Sequence, residues 1–188
     1  LVRSRGLGDV YKRQVVTSSA DGSARVWIVA TGQELLNLSH PVPVNDAVFS
    51  PDGQQIVTAA EDGLIRLWDA QQGSQLSSWA AHEGGVISIQ FSPNGELLLS
   101  GGADGYASLW HMDDGSLLHA LGAGAAVTSA VFDPAGELIA TSTAGGSVII
   151  WDTVTGSRVN ATDDRAYLSS VAFSPDGKSL LVGDYYSY

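Results

Sequence analysis

The fold of this chain is decided by residues 47–69, which read AVFSPDGQQIVTAAEDGLIRLWD. An alternating apolar segment runs into a Pro-Asp-Gly turn at residues 51–53, and a second apolar run, QIVTAA, follows. The Asp62-Gly63 pair is a two-residue hairpin signal, and the third run, LIRLWD, has the period of two that is typical of a strand. The stretch therefore predicts three short antiparallel strands joined by tight turns.

The same pattern recurs along the chain with a period near 41 residues. One series of Trp residues is spaced by 41, 42 and 41 positions, and a series of Phe residues by 42, 41 and 41 positions. The two series are Trp27, Trp68, Trp110 and Trp151, and Phe49, Phe91, Phe132 and Phe173. A Gly-containing turn and a fourth apolar run close each unit, so four strands fill the period and leave no room for a helix. The predicted fold class is all-β.

Unit length, turn chemistry and Trp spacing together resemble the WD-repeat β-propeller family, over residues 15 to about 183. The FSPDG spelling of the turns resembles bacterial members. The resemblance implies a partial β-propeller of four-stranded antiparallel blades, an incomplete, open arc of about four blades. The implied units are about 15–39, 40–81, 82–122, 123–163 and a truncated unit at 164–188.

The first residues differ from the rest in charge and pattern. Residues 4–14, SRGLGDVYKRQ, resemble the in-frame translation of a transposase-type sequencing adaptor. We therefore expect residues 1–14 to lie outside the fold and residues 15–188 to form the propeller fragment. An open arc would expose strand edges and apolar blade faces at both ends, so we expect the fragment to self-associate.

The resemblance also implies a hydrogen-bonded tetrad in two of the units. Its members are a His before the first strand, a Ser or Thr on the second, an Asp in the hairpin and the Trp on the third. The two sets are His40, Thr58, Asp62 and Trp68, and His82, Ser100, Asp104 and Trp110. An imidazole between a carboxylate and a hydroxyl has a partner at both nitrogens, so the tetrads should fix the loop geometry. In the next unit, Ala123 and Gly145 replace the His and Asp, leaving Thr141 and Trp151.

A Ser, His and Asp combination also suits a hydrolase. Nucleophilic catalysis needs an oxyanion hole and usually a strained GxSxG elbow, which the sequence lacks, and the hydroxyls lie within predicted strands. The four His residues show no zinc-like spacing, and no phosphate-binding glycine loop precedes a helix. We therefore interpret the chain as a non-enzyme with no catalytic residue, no cofactor and no metal site.

The charge distribution bears on partners. Of the nine basic residues, four lie before residue 15, and from residue 15 onward the net charge is −14. Such a surface repels phosphate backbones and anionic lipids, so we expect other proteins as partners, and neither nucleic acid nor membranes. The sequence contains no cysteine, which fits a reducing compartment and favours a cytoplasmic location.

The resemblance implies a scaffold that mediates protein–protein interactions through the loops of one propeller face. Eight positions just ahead of and within the first strands map there, and they vary between units while the flanking Phe is maintained. They are Asn45, Asp46, Ile87, Ser88, Thr128, Ser129, Ser169 and Ser170. Two alternatives remain open. One is a regulatory or sensing segment of a larger signalling protein with a kinase, protease or nucleotide-binding domain. The other is a catalytic propeller such as a lactonase or quinone-dependent dehydrogenase.

Overall fold

The computed structural model describes residues 14–163 and 167–184. In this part of the chain there are 17 β-strands and no helix, which confirms the all-β fold class. The strands are β1 (Gln14–Ser18), β2 (Ser23–Ile28), β3 (Glu34–Ser39), β4 (Val44–Phe49), β5 (Gln55–Ala60), β6 (Leu64–Asp69), β7 (Gln75–Ala80), β8 (Val86–Phe91), β9 (Leu97–Gly102), β10 (Tyr106–His111), β11 (Leu117–Gly122), β12 (Val127–Phe132), β13 (Leu138–Thr143), β14 (Ser147–Asp152), β15 (Arg158–Asp163), β16 (Leu168–Phe173) and β17 (Leu180–Asp184).

The strands form five antiparallel sheets that follow one another in chain order. We number them as blade 1 (β1–β3), blade 2 (β4–β7), blade 3 (β8–β11), blade 4 (β12–β15) and blade 5 (β16–β17). Blades 2, 3 and 4 have four strands each, and neighbouring blades meet through their first strands, with β4 against β8, β8 against β12 and β12 against β16. Within the described residues the sheets are not closed into a ring. The architecture is therefore the partial β-propeller that the sequence predicts.

The start of blade 1 lies one residue earlier than expected. Gln14, which the sequence assigns to the N-terminal tail, is the first residue of β1 and pairs with Ile28. The other residues of the expected tail, 1–13, lie outside the described residues.

Each internal blade buries both of its faces because it lies between two others. In β6, Trp68 belongs to the apolar cluster shared with blade 1, whereas Ile65 and Leu67 belong to the cluster shared with blade 3. Alternation along the strand sends successive side chains to opposite faces. Full burial of one such aliphatic side chain stabilises the fold by about 1.5–3 kcal/mol. The hydrophobic core therefore consists of apolar layers, each lying between two neighbouring blades.

The first strands of blades 2 to 5 share a local irregularity. The register with the second strand shifts at one residue in each, which is the signature of a β-bulge. The skipped residues are Asn45, Ile87, Thr128 and Ser169. The bulge recurs at the same place in the period, so it belongs to the repeat itself.

Gly63 shows why the hairpin between the second and third strands needs glycine. Its φ is 77°, a left-handed conformation, and a Cβ there would collide with the carbonyl oxygen of His82. The Gly63 carbonyl accepts hydrogen bonds from the backbone N–H of Ala81 at 2.9 Å and of His82 at 3.2 Å. The loop that leads into blade 3 is thereby fastened to the hairpin of blade 2.

Candidate functional site

Blade 3 contains a complete tetrad. The Nδ1 atom of His82 lies 3.0 Å from Oδ1 of Asp104, and its Nε2 lies 2.7 Å from Oγ of Ser100. The Nε1–H of Trp110 donates to the same Ser100 oxygen at 2.9 Å. Burial lowers the pKa of His82 against the opposing influence of Asp104, so the imidazole is neutral at pH 7. Both ring nitrogens have partners, and the loop before β8 is held in one geometry.

Blade 2 differs, and the structure corrects the predicted role of Asp62. His40 Nε2 lies 2.8 Å from Oγ1 of Thr58, and Trp68 Nε1–H donates to that oxygen at 2.9 Å. The Nδ1 atom of His40, however, lies 3.0 Å from the carbonyl oxygen of Leu38.

The carboxylate of Asp62 binds Arg66 instead. Two guanidinium nitrogens donate to it, at 3.2 and 2.6 Å. These bonds hold the pKa of Asp62 below its usual value. Blade 3 has Ser108 at the position of Arg66, so no cation competes there for Asp104. The physical reason for the difference is a bidentate ion pair across the hairpin.

One hydrogen bond of the tetrad recurs in blades 1 to 4. In blade 4, Trp151 Nε1–H donates to Thr141 at 3.0 Å, and in blade 1, Trp27 Nε1–H donates to Thr17 at 3.0 Å. Thr17 was missed by the sequence reasoning, although its position 41 residues before Thr58 was an available signal. The Trp–hydroxyl bond ties the second strand to the third in blades 2 to 4, and it ties β1 to β2 in blade 1.

The loops before the first strands and the hairpins between the second and third strands lie on one face. Backbone hydrogen bonds join them, such as Glu61 N–H to the carbonyl of Pro43 and Ala103 N–H to that of Gly85, both 3.0 Å. We call this the hairpin face, and it comprises residues 19–22, 40–43, 61–63, 81–85, 103–105, 123–126 and 144–146. The other connections form the turn face, residues 29–33, 50–54, 70–74, 92–96, 112–116, 133–137, 153–157 and 174–179.

The eight positions predicted to contact partners are mostly not on that exposed surface. Asp46, Ser88, Thr128 and Ser129 are buried, with exposed fractions of 9% or less. Ile87, Ser169 and Ser170 are half-buried, and only Asn45 is exposed. The prediction that all eight form a contact surface is therefore wrong for the four buried residues. The reason is that first strands line the inner side of the arc, where each is covered by the first strand of its neighbour.

Several of these inner residues join blades to each other. Asn45 Nδ2–H donates to the carbonyl of Val86 at 2.8 Å, and Asp46 Oδ2 accepts from the backbone N–H of Ile89 at 3.1 Å. The sequence reasoning also missed Gln90, whose Oε1 accepts from Phe132 N–H at 2.8 Å. Together with Ser88, Ser129 and Ser170, Asp46 and Gln90 line a cavity of about 300 Å³ on the inner side of the arc.

The exposed chemistry of the hairpin face is acidic over blades 1 to 3. Five acidic residues lie there, against two guanidinium groups, and they are Asp21, Glu61, Asp62, Glu83 and Asp104. The side chains of Asp62 and Asp104 are only 22% and 20% exposed. Arg25 pairs with Asp21 at 2.9 Å and Arg66 pairs with Asp62. Over blade 4, the corresponding residues 123–126 and 144–146 are only Ala and Gly. The hairpin face therefore has an acidic region over blades 1 to 3, beside an uncharged region over blade 4 that contains only small residues.

Among residues 14–163 and 167–184, no group of three His, Asp or Glu side chains is placed to hold a metal ion. The same ranges contain no helix that is long and apolar enough to cross a membrane.

Comparison with known protein families identifies a repeat. The family model for the WD domain, G-beta repeat, matches residues 32–69, 73–111 and 115–152. Each matched segment contains the last strand of one blade and the first three strands of the next, so each repeat links two blades covalently. No curated protein matches the chain.

Proposed function

The chain belongs to the WD-repeat family, and on that premise we propose that it is a scaffold that mediates protein–protein interactions through its hairpin face. WD repeats generally mediate protein–protein interaction, and domains built from them are typically non-catalytic. The proposed scaffold acts by shape and charge, without turnover of a substrate.

The observation that carries the proposal is the acidic region of the hairpin face. Glu61 and Glu83 are exposed there, and neither forms a salt bridge within the described residues. Exposed carboxylates that form no salt bridge favour a protein surface that carries Lys or Arg. The loops that present them are held to the blades by backbone hydrogen bonds, so little conformational entropy would be lost on binding.

Hydrogen bonds around His82 add to this ordering. The backbone N–H of Glu83 donates to Oδ2 of Asp104 at 3.2 Å, and Asp104 is held by the imidazole of His82. The tetrad thereby orients the loop that bears Glu83. A structural role for the His–Ser–Asp set supports the scaffold over a hydrolase, because the Ser100 hydroxyl is fully buried and no substrate could reach it.

The proposal is tested by affinity capture with the full chain. We expect the variant Glu61→Gln/Glu83→Gln to lose bound proteins by about tenfold relative to the unaltered chain, and the loss to be smaller at high salt. The matched control is Glu96→Gln/Glu137→Gln, two exposed residues of the turn face. Equal retention of partners by both variants would exclude the hairpin face as the binding surface.

A further inference from the structure

The seam between blades 2 and 3 contains a groove on its outer side. It has a volume of about 240 Å³ and is formed by β6, β7 and the turn at residues 112–116. Trp79 and Met112 supply apolar walls, Ser77 supplies a short side chain, and Asp113 and Asp114 lie at the groove. Pockets for whole small molecules have volumes of about 300–1,000 Å³, so this groove suits a single side chain.

The groove is open because of the residue at position 77. At the seam between blades 1 and 2, the equivalent residue is Leu36, and a Cβ built on Gly73 would lie only 3.2 Å from its Cδ2. At the seam between blades 3 and 4 it is His119, which packs on Gly156 and lies 2.9 Å from the carbonyl oxygen of Val154. Both side chains fill the space between the outer strand and the turn. Ser77 is too short to do so.

Trp79 is the second unusual residue of this seam. The equivalent positions in blades 1 and 3 are Leu38 and Leu121, which are 1% and 2% exposed. Trp79 is only half-buried, and its ring lies 6.2 Å from that of Trp110. Its Nε1–H has no hydrogen-bond partner within the described residues, which costs about 1–3 kcal/mol when such a group is buried. Trp79 therefore leaves part of its ring accessible at the groove, which Leu38 and Leu121 do not.

The charge of the turn is the third unusual feature. The residues equivalent to Asp113 and Asp114 are the uncharged pairs Gln71-Gln72 and Val154-Thr155. Asp113 and Asp114 are exposed, and neither forms a salt bridge within the described residues. The backbone N–H of Ser116 donates to Asp114 at 2.8 Å. Hydrogen bonds from Ser116 lower the pKa of Asp114, so this carboxylate stays ionised.

We propose that this seam groove binds an arginine side chain of a partner protein. Its methylene groups would pack on Met112, and its guanidinium would lie between the indole of Trp79 and the carboxylates of Asp113 and Asp114. A planar guanidinium stacks on an aromatic ring and pairs with carboxylates at the same time, which an ammonium does less well. The inference rests on the proposed function, because it gives a protein partner a second point of attachment.

The test is a titration of the full chain with a blocked Gly-Ser-Arg-Ser-Gly peptide. Binding is measured by NMR from the chemical shifts of the indole N–H resonances. The Trp79 resonance is assigned with Trp79→Leu. We expect the peptide to shift it saturably, and a peptide with citrulline in place of arginine to bind at least about tenfold more weakly. The Ser77→Leu variant, which copies blade 1, should lose binding because leucine fills the groove.

A second variant keeps the proposal falsifiable if Ser77→Leu fails to fold. Asp113→Gln/Asp114→Gln copies the exposed turn of blade 2 and should weaken binding by about tenfold while the chain remains folded. No saturable shift, equal binding of the citrulline or lysine peptide, or full binding by the two folded variants would each overturn the proposal. The peptide titration tests the groove without any partner protein, and the capture experiment tests the hairpin face without any groove variant. Failure of the groove proposal is therefore distinguishable from failure of the proposed function.

Discussion

In blade 2, the guanidinium of Arg66 holds the carboxylate of Asp62, with Nη2 of Arg66 lying 2.6 Å from Oδ2 of Asp62. Arg66 itself is 7% exposed, so the ion pair lies largely within the seam between blades 1 and 2. Because the carboxylate is occupied, His40 uses the carbonyl of Leu38 in its place. One residue of the third strand thus distinguishes the incomplete tetrad of blade 2 from the complete tetrad of blade 3.

Replacing Arg66 should convert the network of blade 2 into that of blade 3. In Arg66→Ser, Asp62 is free to bind His40, and the pKa of His40 should rise because a nearby cation is lost and a carboxylate is gained. NMR titration of the imidazole measures this. Asp62→Asn should lower the free energy of unfolding by about 1–3 kcal/mol, since it leaves a buried guanidinium without its carboxylate. An unchanged His40 pKa in Arg66→Ser would contradict the account.

Removing the second-strand hydroxyl should destabilise the chain more in blade 3, where it has two ring partners, than in blade 4, where it has one. Ser100 contacts both His82 and Trp110, whereas Thr141 contacts only Trp151 among the ring nitrogens. Ser100→Ala should therefore lower the free energy of unfolding by about 2 kcal/mol or more, and Thr141→Val by about 1 kcal/mol. Both changes remove a buried hydroxyl with little change of shape. Urea denaturation compares them, and an equal or reversed ranking would refute the network.

The hairpin glycines should be much less replaceable than an exposed turn glycine. At Gly63 an added Cβ collides with the carbonyl oxygen of His82, while at Gly32, which also has a positive φ, it meets nothing within 4 Å. Gly32→Ala should cost about 1 kcal/mol from backbone strain alone. Gly63→Ala should cost at least about 3 kcal/mol because steric overlap is added. Thermal unfolding of both variants provides the comparison.

The stability of the chain should fall on mild acidification. Burial lowers the pKa of His40 and of His82 below the ordinary value of 6.5. Below about pH 6.5 the unfolded chain therefore binds more protons than the folded chain, and stability is lost as the pH decreases towards the folded-state pKa values. Above that pH the contribution is fully present. Carboxylates such as Asp62, with lowered pKa, remain ionised in this window.

The corresponding measurement is the melting temperature at about pH 7.5 and about pH 5.5. The drop seen for the unaltered chain should shrink in His40→Gln/His82→Gln. His111→Gln, which alters a half-buried residue outside both networks, is the control and should leave the drop intact. A drop that persists undiminished in the double variant would place its origin elsewhere.

Self-association of the full chain remains a prediction, and the structure indicates a surface for it. Trp27 is half-buried, whereas the equivalent Trp68, Trp110 and Trp151 are 6–7% exposed. The internal blades have a preceding blade over this face, and the described residues include none before blade 1. We expect sedimentation velocity to show dimers or larger species, and Trp27→Gln to reduce them. Tyr106→Gln, at a residue 48% exposed on another surface, is the control. A monodisperse, cooperatively melting monomer would disprove this.

Most of the fold was predictable because its signals are local and repeated. The alternation in LIRLWD, the Asp62-Gly63 hairpin and the period near 41 residues each depend on neighbours in the sequence. The Trp68 to Thr58 bond was also within reach, since both positions recur with the repeat. The partner of Asp62 could not be predicted in this way. His40 and Arg66 are both acceptable donors to its carboxylate, and only the three-dimensional distances show that Arg66 binds it. The burial of Asp46 and Ser88 depends on the neighbouring blade.

The sequence by itself determined that this chain forms short antiparallel sheets with four strands to a period, because strand alternation and turn chemistry act over a few residues. Only the tertiary structure decided which polar groups face each other across blades, which first-strand residues are covered, and which seam stays open. Ser77 and Asp113 are 36 residues apart in the chain, and they line one groove only because blade 3 packs against blade 2. Contacts of that kind are set by how stacked sheets exclude water from their apolar faces.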